Sequence, residues 1–251
     1  TNVINKNIVF NLPTETIDLP SKGLLYPEGH PLSNGTIEIK YMTAKEEDIL
    51  TNQNYIQNGT VLDKLLKSLI VTKCEYNDLV IGDKNAVMIA ARILGYGAEY
   101  KFTYKGVEET VDLSQIENKP LDESLYIKGQ NEFTFTLPAS NNEITFKFLT
   151  QGDEVKIERE LEGLKKIKKE ESPELTTRLK YMITSINGDR ETKLIREFID
   201  QAFLARDARA FREHISKIQP DVDLTFFPSS SNKSISLPIG INFFWPDANL
   251  G

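Results

Sequence analysis

The chain has one cysteine, Cys74, and two histidines, His30 and His214. A lone thiol cannot close an internal disulfide, so a reduced cytosol is the expected setting. So few thiols and imidazoles cannot assemble the ligand set of a structural zinc site, and neither a metal nor a cofactor is expected. A carboxylate-only calcium or magnesium site has no patterned loop behind it. No stretch approaches the roughly 18 consecutive apolar residues of a membrane span, and Thr1 to Phe10 lacks a basic segment followed by a long apolar one. Neither a membrane helix nor a standard export signal is therefore expected. Positive charge is also in deficit: the formal net charge is −7, which argues against a general nucleic-acid surface. No phosphate loop of the Gly-x4-Gly-Lys-Ser/Thr type and no Gly-x-Ser-x-Gly elbow occurs. Gly95-Tyr96-Gly97 follows a helical pattern rather than opening one, the wrong polarity for cradling phosphate.

What is present is an ordinary globular composition, 39% hydrophobic and 27% charged, in a chain long enough to bury a core without a staple. Residues 1–19, broken by Pro13, alternate weakly and are read as an extended arm whose place is on a neighbour's sheet edge. Residues 20–98 are read as mainly helical after a β or loop segment. Turn formers surround Leu24-Leu25, and Ser33-Asn34-Gly35 leads into a strand over Thr36 to Met42. Thr43-Ala-Lys-Glu46 has the capping-box pattern for a helix to about Asn52. Thr60 caps a second helix, with Val61, Leu62, Leu65, Leu66 and Leu69 as its apolar stripe, and Asp83 a third, over Lys84 to Leu94, stopped at Gly95.

Over residues 99–150 the period shortens to two. Lys105-Gly106 joins one predicted hairpin, and Ala139 to Asn142 joins a second between Glu132–Leu137 and Glu143–Phe148. Residues 151–220 return to helix: a charged run over Lys156 to Glu171, a start at Ser172-Pro173-Glu174, a stop at Asn187-Gly188, and caps at Asp189 and Asp207. Residues 221–251 predict two strands around Pro228 to Lys233 and then an extended aromatic tail. The fold class is α+β: a short helical bundle, two central hairpins, a helical region and a C-terminal hairpin.

Reactive chemistry is sparse in this pattern. Cys74 reads as a buried or tolerated cysteine, and His214 as an exposed helix histidine, so no catalytic residue is assigned and the chain is read as a non-enzyme. Candidate partner contacts lie near both ends. Lys22, Leu25 and Tyr26 sit in the first turn-rich segment. Arg206, Arg209 and Arg212 recur every three residues, as a basic strip for an acidic partner or a solvated face. Phe243, Phe244, Trp245 and Pro246 form the densest aromatic cluster. On an extended segment three adjacent rings point to both sides, which leaves at least one for a partner unless they pack back onto the last hairpin.

Several segments in order carry a resemblance: Pro20-Ser-Lys-Gly-Leu-Leu-Tyr-Pro27, Met42 to Leu50, Gly59 to Leu66, Gly82-Asp-Lys-Asn85, Ala91-Arg-Ile-Leu-Gly-Tyr-Gly97 and Phe243-Phe-Trp-Pro-Asp247. Together, from about Leu19 to Asp247, the chain resembles the baseplate hub subunit family of T4-like contractile-tailed bacteriophages. The resemblance implies a structural or assembly component of the central baseplate hub, made in the host bacterial cytoplasm, with virion residence open. Its implied partners are other phage hub or tail proteins. A homo-oligomer stays open, and neither a membrane nor a specific nucleic acid is implied. Relatives are associated with Cys-x-x-Cys knuckles on hairpins near Tyr104 and Phe227. Here Phe227-Pro-Ser-Ser230 stands in that place, and these side chains cannot replace thiolates as zinc ligands. A transient tail-assembly chaperone and a carboxylate-dependent hydrolase remain as alternatives. The latter requires two carboxylates converging in a cleft with unequal pKa values.

Overall fold

The computed structural model describes residues 12–168 and 172–245. It is an α+β molecule, and among the described residues eight α-helices and several small antiparallel sheets share one hydrophobic cluster running from Leu19 to Phe244. Strand β1 (Thr14–Asp18) pairs antiparallel with β2 (Thr36–Lys40), so the last part of the expected arm lies on its own chain's β2. Residues 1–11 lie outside the described residues. In β2, Ile37 and Ile39 alternate inward, and β1 pairs along one edge while Ile70 bridges Ile39 on the other.

Helices α1 (Ala44–Leu50), α2 (Gln53–Gln57) and α3 (Val61–Leu69) follow, with Val61, Leu65, Leu66 and Leu69 buried as their spacing demands. Helix α4 (Ile81–Tyr96) starts earlier and ends later than its sequence signals suggest. Val80 is its N-cap, and Gly97, at φ 87°, ends it, so Gly95 lies inside the helix. Gly82 in its first turn has no substitute, since a Cβ there would sit 1.8 Å from the carbonyl oxygen of Pro220. That close approach docks the start of α4 against the segment after the last helix.

Hairpin β3 (Glu99–Tyr104) and β4 (Val107–Asp112) turns through Lys105 and Gly106 at φ 48° and 79°, the positive pair that a tight two-residue hairpin requires. Strands β5 (Phe133–Thr136) and β6 (Glu143–Phe146) form the second hairpin, but a third strand joins it. Strand β7 (Ile183–Ile186) occupies the open edge of β6, where the sequence pattern continues a helix to Asn187. The β-branched run Ile183-Thr184 and the hydroxyl contacts of Thr145 with Thr184 (2.7 Å) and Ser185 (2.5 Å) favour the strand.

Helix α5 (Gln151–Ile167) begins at a Thr150 capping box, and α6 (Glu174–Met182) has Pro173 at its N-cap position, one residue before the expected place. In α7 (Thr192–Gln201) the N-cap is Glu191, not Asp189, whose carboxylate instead accepts from the Glu191 backbone N–H within the turn. Helix α8 (Ala205–Ile218) is capped by Leu204, and Asp207 lies one turn inside it. Strands β8 (Thr225–Phe226) and β9 (Ile235–Ser236) are only two residues each. Their hairpin meets the first one through Phe102 against Phe226, ring centroids 5.3 Å apart, and through Glu109, which accepts from the backbone and hydroxyl of Ser229. A carboxylate and a serine thus join the two hairpins.

Candidate functional site

The turn-rich segment after β1 is held by a carboxylate rather than left for a partner. Asp83, fully buried at the third position of α4, accepts from Ser21 N (2.9 Å), Ser21 Oγ (2.6 Å) and the Tyr26 hydroxyl (2.6 Å). Tyr26 in turn accepts from Val80 N at 3.1 Å, satisfying a free amide of the helix start. Val80 has no side-chain acceptor, so its own amide looks to Tyr26 and that of Ile81 to the Leu149 carbonyl, while the carboxylate holds the distant loop. Burial pushes Asp83 up to about 6, with Asp221 adding to the rise and the Ser21 and Tyr26 hydrogen bonds opposing it. Burial and the adjacent Asp83 carboxylate push the Tyr26 phenol far above its ordinary value. Leu25 and Tyr26 are interior, so neither is available as a surface contact. Lys22 is exposed and paired with Glu123 at 2.7 Å.

The aromatic end is also corrected. Ile241–Phe244 form a turn of 3-10 helix, not an extended strand. Successive side chains then diverge by about a third of a turn, which lets two neighbours face inward where a strand would split them. Phe243 and Phe244 are buried, with Phe243 edge-on to Tyr100 at 4.6 Å, and they serve the core rather than a partner. Trp245 is half-buried, and Pro246 lies outside the described residues.

The two histidines and the cysteine are likewise occupied. His30 Nδ1 accepts from Leu32 N (3.1 Å), which places the imidazole proton on Nε2, 2.9 Å from Asp78. No ring nitrogen is left to act as a base for Cys74, whose thiol is pushed up by burial and then by Asp78 and Glu75. An activated nucleophile needs the opposite shift. His214 is half-buried and stacked on Phe135 at 4.5 Å, and burial holds its pKa down. The expected exposed histidine is therefore part of an aromatic cluster. Among the described residues no group of three or more His, Cys, Asp or Glu side chains is placed to hold a metal ion.

The arginines of α8 do reach the surface. Asp207, Ala208, Phe211 and Ile215 turn inward, leaving Arg206, Arg209 and Arg212 exposed. Arg209 pairs with Glu213 on its own helix at 3.2 Å. Arg212 makes a 3.4 Å contact to its own Ala208 carbonyl and borders a groove of about 250 Å³. Ile81, Leu149, Leu179, Met182 and Ile215 line this groove, with Leu175 and Arg178 from α6 at its edge. Glu154 of α5 takes Arg178 in a two-point pair, 2.5 and 2.9 Å, at the groove's side. Beyond that pair lies a polar hollow of about 340 Å³ that contains Asp63, Lys84, Gln151 and Glu158. Lys84 donates to Gln151 (2.7 Å) and lies 3.4 Å from Asp63, which also accepts from Tyr76 (2.7 Å). Burial, then Asp63 and Glu154, raise the pKa of Glu158.

Comparison with family models, curated proteins and solved structures finds no match for this chain. No described helix is long and apolar enough to cross a membrane. Of the nine expected contact residues that the structure describes, only Arg212 belongs to the groove. Leu175, Leu179 and Met182, spaced as one helical stripe, were a readable signal of an apolar face on α6. What the stripe leaves open is whether a neighbouring element covers that face, since periodicity identifies an apolar side and not its lid.

Proposed function

We propose that this chain is a structural or assembly component of the central hub of a contractile phage-tail baseplate and acts through protein–protein contacts. The ordered segments that resemble the hub subunit family support this reading. The observation that carries it on the structural side is the groove beside α6 and α8, apolar on its floor and edged by Leu175, which is 42% exposed, and by Arg212. Such a surface suits a docked side chain better than a reaction. In this reading the protein is made in the host bacterial cytoplasm and meets other hub or tail proteins there. Mass spectrometry of purified particles and of baseplate intermediates tests it. The expected result is the chain in intermediates, with or without the finished particle. Absence from both rejects the hub role. Presence in intermediates alone marks the transient chaperone.

A second reading, a carboxylate-dependent hydrolase, draws on the hollow where Glu158, raised in pKa, shares space with Asp63. Asp63 is committed to Tyr76, Lys84 and Gln151, which favours a structural role. Hydrolysis of a glycoside or ester panel that vanishes in both Glu158→Gln and Asp63→Asn would reverse that preference.

A further inference from the structure

We infer that the groove between α5, α6 and α8 receives one large apolar side chain from an acidic segment of a partner protein. This deepens the assembly reading and rests on it. The groove's volume of about 250 Å³ is below the usual size of a small-molecule site of roughly 300–1,000 Å³, and it fits a single anchoring side chain. Ile81, Leu149, Leu179, Met182 and Ile215 make the apolar part of the lining, with Gln219, Glu154, Arg178 and Arg212 as its polar members, so the part that packs on the five apolar side chains is itself apolar. Leu175 extends this floor onto the outer surface, where it stays in water until something covers it.

Charge then selects the occupant. Arg178 is already matched by Glu154, and Glu174 adds negative charge near it. Arg212, by contrast, spends one N–H on a long contact to its own backbone and has no ion pair among the described residues. A guanidinium carries five N–H donors, so a planar two-point site for a carboxylate stays open at the groove's edge. Arg206 and Arg209 continue the positive face along α8, and only Arg209 is answered by a glutamate of the helix. A segment with an acidic residue close to its anchor is attracted, and a basic one repelled.

The test uses the full-length protein on an array of short synthetic peptides in which a leucine or phenylalanine anchor is combined with glutamate, serine or lysine at each neighbouring spacing. Peptides with an apolar anchor and a nearby glutamate should be retained. By fluorescence anisotropy, Arg212→Glu should weaken the best of them by roughly tenfold and gain affinity for the lysine series. Leu175→Asp should lower retention of all anchored peptides. Both positions are exposed, and circular dichroism with a thermal melt establishes that each variant is folded. No retained peptide, retention indifferent to both substitutions, or retention of the serine or lysine series by the wild-type protein overturns the inference. A negative array with the chain still present in baseplate intermediates rejects the groove alone. A positive array with the chain absent from intermediates and particles rejects the hub role alone.

Discussion

The starts of α4 and α8 use the same residue at the same place: Asp83 and Asp207 are each the third residue of a helix whose N-cap is apolar, Val80 in one and Leu204 in the other. The starts of α1 and α5 differ, with threonine at the cap and an acid at the third position. There the acid turns back on its own helix. Glu46 accepts from Thr43 N at 2.9 Å and Asp153 from Thr150 N at 3.0 Å, which satisfies the helix start locally. With no polar cap to bond, Asp83 and Asp207 reach outward and tie down remote segments. Asp83 holds the loop of Ser21 and Tyr26, and Asp207 the β5–β6 turn through Ala139 N (2.7 Å) and Ser140 N (3.1 Å). The cap residue thus decides whether the acid one turn later also serves the helix start, as Glu46 does while accepting from Ser68 Oγ (2.8 Å) and Lys40 Nζ (2.7 Å) and Asp153 while accepting from Lys147 Nζ (2.8 Å), or is given over to remote segments.

The two tethers also differ electrostatically. At Asp83 burial outweighs the hydrogen bonds, and the pKa rises to about 6. At Asp207 burial also raises it, but the hydrogen bonds from Ser140 and Ala139 outweigh burial and the net shift is downward. Near neutral pH both are carboxylates, but they respond to acid in opposite senses.

The most damaging single change should be Asp83→Ala, which leaves two hydroxyls and an amide without their acceptor in the interior. A loss of about 4 kcal/mol in urea unfolding is expected, and a loss below about 1 kcal/mol would mean that the loop does not depend on this tether. The pH dependence separates the tethers next. A raised folded pKa means that the native state holds the Asp83 proton more tightly, so its contribution to stability is greatest below about pH 4. It declines as pH rises to about 6 and is flat above that. For Asp207, lowered in the native state, the contribution is present above the ordinary aspartate range and is lost as pH falls through it. Unfolding series for wild type, Asp83→Asn and Asp207→Asn from pH 3 to 7 should therefore show wild-type advantages with opposite slopes. Parallel slopes would break the contrast.

Asp207→Ala should cost about 2 kcal/mol, less than Asp83→Ala, because two backbone amides near the surface of a turn can turn to water. Equal losses at the two sites would mean that the greater exposure of the Ala139 and Ser140 segment makes no difference. The smallest effect belongs to the local class. Thr150→Ala deletes one side of a capping box and should cost about 1 kcal/mol, with hydrogen exchange rising in the first turn of α5 and nowhere remote. Faster exchange in the Ser21 or Ala139 segments on this substitution would show that local caps also carry tertiary load.

Patterns of short range were legible. The Thr43 box, the Val61 to Leu69 stripe and the Lys105-Gly106 turn depend on residues a few positions apart, and the chain's own geometry decides them. Asp83 and Asp207 mark the limit. As residues they announce a helix start, correctly to within a few positions, but their partners lie 62 and 68 residues away and no local pattern names them. The same holds for β7, where Ile183 to Ile186 continue a helical stripe in sequence and the free edge of β6, remote in the chain, takes them up as a strand. Phe243 and Phe244 read as available rings because their count is local, whereas the space beside Tyr100 that takes Phe243 is made by elements brought together from far along the chain.

By itself the sequence determined an α+β chain with few thiols and imidazoles and with apolar stripes to bury. These follow from composition and from side-chain periods of 3.6 and two, which act within one element. Only the tertiary structure decided which acids became tethers, which aromatics were used up in the core, and that a groove beside Arg212 was left open. Each of these depends on what packs against an element from elsewhere in the chain, and that neighbour sets both the burial and the hydrogen-bond partners of every side chain it meets.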